Sequence, residues 1–188
     1  MSKTEFYNPI NFFELDGHIK DKKTKKNYLF HSWITAWSLH HFLIGYFCAF
    51  YKISFKYSII GHTLYEIFMN DTRISNAAWK NTYNQFYGDS YENSIGDGIV
   101  FSLGYFFYNK NKFVNILFAI IHTIFILPQV QIYIIKNRRL ILKNKYNIHV
   151  GKSKIENENM DIFTYFFSDV YVYISIFLLI SSIKSYIS

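Results

Sequence analysis

The segment "YGDSYENSIGDG", residues 87–98, places Asp89, Glu92 and Asp97 at the edge of a strongly apolar, aromatic run. Asp89, Asn93 and Asp97 recur at four-residue intervals, with Ser90 and Ser94 beside them. In a helix that interval puts all three on one face. Gly88 ends the preceding turn, and Asp89 is placed to cap the helix that follows. At about 1.5 Å per residue, Asp97 would lie roughly 12 Å beyond Asp89. His62, Glu66 and Asn70 repeat the interval in the preceding segment. Earlier still, His40 and His41 sit inside an uncharged run, and Gly45 shares the face of His41 one turn on. A glycine there lets another helix approach closely, or leaves room for a ligand.

Imidazole with two or three carboxylates and nearby amide oxygens suits a divalent ion with N/O ligands: Zn, Mn, Fe or Mg. Such an ion would also relieve the repulsion among buried acids, which otherwise protonate. With an open coordination position it would activate water or polarise a phosphoryl or carbonyl group. Without a metal, the same groups would form a proton relay or an acid–base pair. The residues assigned to catalysis and metal binding are His41, Glu66, Asp89 and Asp97. Asn93, Ser94, Asn70 and His62 are assigned to substrate, with His40 and Asp169 as secondary members.

Polar groups in apolar surroundings need elements to carry them. The chain of 188 residues is 51% hydrophobic and 21% aromatic, and its apolar blocks alternate with charged ones. That alternation predicts an all-α polytopic membrane bundle of four or five transmembrane helices. The predicted spans are 29–51, 53–69, 89–109, 113–135 and 162–183, all in one domain, with a short tail at 184–188. Residues 53–69 carry Lys56 and Glu66, so a re-entrant or interfacial helix is the alternative there. Residues 1–28 end in "KDKKTKKN" and read as a basic cytoplasmic segment without the apolar core of a cleaved signal. Five spans with the N terminus inside put fifteen Lys and Arg on cytoplasmic segments and five outside.

The net charge of +7 lies beside apolar blocks, which favours an anionic membrane surface over nucleic acid. The expected partners are therefore membrane lipids, with homo-oligomer formation left open. Cys48 is the only cysteine, so an intrachain disulfide and a cysteine metal site are excluded. "VGKSK", 150–154, is no phosphate loop, because Tyr146 stands where that loop needs glycine.

"GDSYENSIGD", 88–97, resembles the Gly-Asp-Ser-x-x-Asn-Ser-x-x-Asp signature of a small bacterial inner-membrane family, domain-of-unknown-function family 2585. His41 with Gly45, and Glu66 with Asn70, stand in the order of that family's His-x-x-x-Gly and Glu-x-x-x-Asn elements. The family's second acid, directly before that Asn, is Met69 here. The resemblance covers roughly residues 28–108. The order His, Glu, Asp/Asn is more distantly similar to VanZ-like membrane proteins. The resemblance implies a shared polar site and a membrane location, but no reaction. Three functions follow as expectations: a metal-dependent enzyme on a lipid or lipid-linked substrate, a proton-coupled transporter, and a structural component whose polar residues fix helix packing.

Overall fold

The computed structural model describes residues 4–13, 15–70, 88–151 and 170–187. Five short strands come first: β1 (Thr4–Tyr7), β2 (Ile10–Asn11), β3 (Gly17–Lys20), β4 (Asn27–His31) and β5 (Ile34–Thr35). Six helices follow among the described residues: α1 (Ser38–Phe50), α2 (Phe55–Asn70), α3 (Tyr91–Phe107), α4 (Lys112–Ile126), α5 (Pro128–Tyr146) and α6 (Val170–Ile187).

β4 is the centre of a three-stranded sheet, parallel to β1 and antiparallel to β3, while β2 and β5 form a separate parallel pair. The basic run turns β3 into β4. Asp21 organises that turn: its Oδ1 accepts the N–H groups of Lys23 at 2.6 Å and Thr24 at 2.8 Å. Its Oδ2 accepts the His149 N–H at 3.1 Å, which ties the turn to the end of α5. Short acidic side chains favour such turns because they replace backbone partners locally. Leu15, Ile19 and Phe30 from this region bury themselves against Leu142 and Ile148.

Two of the three expectations about architecture are overturned. The chain is not all-α, since five strands precede the helices. Nor is it a bundle of four or five transmembrane helices: among the described residues, no single helix is long and apolar enough to cross a membrane. The integral-membrane, multi-pass location with a cytoplasmic N terminus falls with that bundle, and so does the VanZ-like description. The third expectation, a close approach at Gly45, is met below.

Two of the predicted spans, 29–51 and 113–135, are cut short for a local reason. In 29–51 the residues up to His31 pair in the sheet, and the helix that begins at Ser38 has 13 residues, against the ~20 needed to span. α2 and α3 have 16 and 17 residues. The run 113–135 breaks at Leu127, because Pro128 opens the next helix and brings no N–H to continue the previous one. Its two halves, Lys112–Ile126 and Gln129–Tyr146, meet length and composition limits only together, and they are bent by 54°. The start of the last predicted span, including Asp169, lies outside the described residues. The apolar excess is divided between core and surface. Leu43, Tyr46, Phe47 and Phe101 are buried, whereas Ile95, Ile99 and Leu103 line an exposed stripe of α3.

The contact that positions the site is α1 against α3. A Cβ at Gly45 would collide with the Phe101 carbonyl, and one at Gly104 with the Phe42 carbonyl. Two glycines, one from each helix, thus let the backbones meet. Ser90 caps α3, its Oγ accepting the Asn93 N–H at 3.2 Å. Asp16 holds that cap from 74 residues away, accepting the Ser90 N–H at 2.8 Å and the Ser90 hydroxyl at 2.7 Å. The N-terminal region therefore fixes the start of the helix that carries Asp97.

Candidate metal centre

α1, α2 and α3 each contribute to one buried cluster. The four-residue interval turns His62 and Glu66 inward on the same face of α2, and both are buried. α1 supplies His41 and α3 supplies Asp97, also buried. His41 Nδ1 lies 2.9 Å from His62 Nε2 and 3.5 Å from Glu66 Oε1, and His62 Nε2 lies 3.6 Å from the same oxygen.

These three atoms form a triangle whose corners are about 1.9 Å from a common centre, close to the ~2.0–2.2 Å bonds of zinc to imidazole and carboxylate. His41, His62 and Glu66 would together hold one ion. Among the described residues, His41, His62 and Glu66 are the group whose ligand atoms lie within 4.8 Å of one another. Glu66 Oε1 is buried and has no hydrogen-bond partner among them. An orphaned carboxylate oxygen beside two imidazole nitrogens is an unfilled electrostatic demand.

Asp97 takes a different position. Its Oδ2 lies 3.4 Å from His41 Nε2, the nitrogen facing away from the triangle. Its Oδ1 accepts the Ser38 hydroxyl at 2.5 Å, and Ser38 Oγ in turn accepts the Thr35 N–H at 3.0 Å. A carboxylate behind a ligating imidazole fixes the tautomer and raises the basicity of the nitrogen that points forward.

Protonation follows from burial. Burial lowers His41 to about 3, with His62 adding to the effect, and lowers His62 to about 4. Both imidazoles are neutral near pH 7 and keep a lone pair for a ligand. Burial raises Glu66 to about 8, reinforced by the charge of Asp97 and opposed by the Ser94 hydroxyl. Burial also raises Asp97 to about 7, opposed by Ser38 and reinforced by Asp16. A cation among these groups would reverse the penalty on the acids.

The other expected residues are distributed more widely. Asn70 and Ser94 border Glu66: Asn70 Nδ2 donates to Ser94 Oγ at 3.0 Å and to the Glu66 carbonyl at 3.1 Å. Asp89 is not brought to the triangle. Its backbone N–H donates to Asn70 Oδ1 at 2.6 Å, and the cap it was expected to form is made by Ser90. Asn93 is buried, with its Nδ2 lacking a partner among the described residues. His40 faces the other way and joins His122 of α4, Nδ1 to Nε2 at 2.9 Å.

Sequence reasoning placed His62 with substrate rather than metal, and it missed Ser38, Asp16 and His122 as partners. For His62 the signal was present: His-x-x-x-Glu is a two-ligand helix spacing. The other three are joined to their partners only through the tertiary fold. Comparison with known proteins adds no assignment, for no family model matches the chain, and neither does any curated protein or solved structure.

Proposed function

We propose that the chain is a metal-dependent enzyme in which His41 Nδ1, His62 Nε2 and Glu66 Oε1 hold one divalent transition ion. Two imidazoles and one carboxylate fit Zn, Fe or Mn better than Mg, which favours oxygen and water. Three protein ligands leave a fourth position for water or substrate, so the bound ion would supply Lewis acidity for hydrolysis at an acyl or phosphoryl centre. Asp97 holds the His41 ring from behind, and Ser38 holds Asp97. Asn70 and Ser94 fix the Glu66 side of the site.

The observation that carries this reading is the buried Glu66 Oε1, which has no hydrogen-bond partner among the described residues and lies within 3.6 Å of two ligand nitrogens. The test is metal content of the purified full chain by mass spectrometry, followed by turnover of acyl and phosphoryl reporter esters. Near-stoichiometric metal in the wild type, lost in Glu66→Gln, supports the reading. A well-folded wild type that takes up no Zn, Fe or Mn overturns it.

A second reading is favoured by the His40–His122 contact. It has the same 2.9 Å separation and leads on to the neutral Ser175 hydroxyl, as expected if imidazole pairs here serve only to fix helix packing. That reading expects a metal-free chain whose Asp97→Asn variant folds unchanged.

A further inference from the structure

An apolar cavity of about 480 Å³ lies between the β2–β5 region and the helices, on the Ser38 side of Asp97. We propose that this cavity is a binding site for an uncharged hydrocarbon group, an alkyl chain or an aromatic ring, carried by a small molecule. Phe12, Phe13, Phe42, Val100, Phe125 and Ile134 are among the apolar residues of its wall. Its size falls within the ~300–1,000 Å³ of ordinary small-molecule sites.

The lining sets the chemical class. Among the described residues that line it, none is Asp, Glu, Lys, Arg or His. Two of its hydroxyls are already engaged: Thr35 Oγ1 accepts the Trp37 N–H at 3.2 Å, and Ser38 Oγ bridges Thr35 and Asp97. A charged ligand would lose its hydration and find no counter-charge, which is costly. A hydrocarbon group loses only unfavourable contact with water. Phe12 at 72% and Leu39 at 41% exposure mark where the cavity opens. It is a concave site, unlike the outward stripe of α3.

The position adds to the argument. Ser38 both lines the cavity and donates to Asp97, so a bound group would sit one hydrogen bond from the carboxylate behind His41. The proposal concerns binding at the cavity and stands apart from metal binding at the triangle.

The experiment is a fluorescence titration of the full chain with 1-aminoanthracene, a neutral aromatic probe, and displacement by decanol or by decanoate. One saturable site is expected, with decanol displacing the probe at least tenfold better than decanoate. Leu39→Glu, which puts a charge at the opening, and Val100→Trp, which fills the cavity, should each weaken the probe tenfold or more. Leu64→Glu is the control, because Leu64 is an exposed leucine of α2 that does not line the cavity. Its probe affinity should match the wild type, and so should that of Glu66→Gln, which separates this site from the metal reading. Non-saturable binding, equal loss in Leu64→Glu, retention in both cavity variants, or displacement by decanoate as good as by decanol would each overturn the proposal. Thermal melts of every variant establish that folded chains are compared.

Discussion

α1 carries two adjacent histidines into two different environments. His41 meets His62 and His40 meets His122, each pair with a nitrogen–nitrogen separation of 2.9 Å and ring centroids 5.0 Å apart. Adjacent residues on a helix point about 100° apart, so one dipeptide serves neighbours on both sides. Beyond the pair the two regions diverge. His122 Nδ1 continues to Ser175 Oγ at 2.7 Å, a neutral partner. The His41 pair instead continues to Glu66 and Asp97, both buried. Imidazoles that are neutral on both sides can satisfy each other with a single shared proton. Two added carboxylates need either protons or a cation. The difference identifies the acids, rather than the histidines, as what makes one region a candidate site.

The largest test of that difference is metal content. His62→Ala and Glu66→Gln should each take the chain from near-stoichiometric metal to below ~10% occupancy, since either removes one of three ligands. His122→Gln should retain wild-type metal despite perturbing an equally short histidine contact. Mass spectrometry beside a thermal melt reads both, and loss of metal in His122→Gln would erase the contrast between the pairs.

Asp97→Asn should produce an intermediate result. The variant keeps all three proposed ligands but weakens the acceptor behind His41 Nε2. Partners of ligating histidines typically change metal affinity by ~10–100-fold. A chelator competition titration measures this, and an unchanged affinity would remove Asp97 from the site.

Without metal, the acids should impose a pH dependence of their own. Glu66 and Asp97 have folded values raised to about 8 and about 7 from ordinary values near 4. A group raised on folding stabilises the chain below its unfolded value, and that contribution is lost as pH rises through the folded value. His41 and His62 are lowered instead, so their cost appears only as pH falls below about 6.5. Between pH 6.5 and 8 the two acids and His31, which its hydrogen bond to Glu92 raises above 6.5, all act in the same direction, and metal-free chain should lose about 1–2 kcal/mol through the acids as pH rises. Denaturant titrations across that window measure the slope, which Glu66→Gln should flatten. A slope equally steep in that variant would mean that Glu66 is not the group responsible.

The polar face was legible in the sequence because it repeats within single helices. The four-residue intervals of His62 with Glu66, and of Asn93 with Asp97, can be read without knowing any neighbour. What surrounds that face was not legible. "LFH", 29–31, reads as the start of the apolar span 29–51, yet it belongs to the central strand of a sheet whose partners begin at Thr4 and Gly17. The basic run before it reads like a membrane-flanking segment and is a turn held by Asp21. Apolar aromatic stretches carry the same composition whether they pair, bury or face outward. Pro128 did mark the break in the fourth predicted span, and a strict reading of helix breakers would have ended it there. Asp16 and Ser90 meet across 74 residues, a distance that no local pattern encodes.

The smallest test addresses the other pair. Ser175→Ala removes the hydroxyl that meets His122 Nδ1, within a neutral network. A net hydrogen bond contributes about 1 kcal/mol, so the melting temperature of a chain this size should fall by roughly 2–4 °C. The loss should be the same with and without metal, because no acid or proposed ligand is touched. A metal-dependent loss would show that the two histidine pairs are coupled through α1. A double-mutant cycle of Ser175→Ala with Asp97→Asn isolates that coupling, and an interaction energy within about 0.5 kcal/mol is expected because the two side chains meet different histidines, whose rings lie 5.7 Å apart.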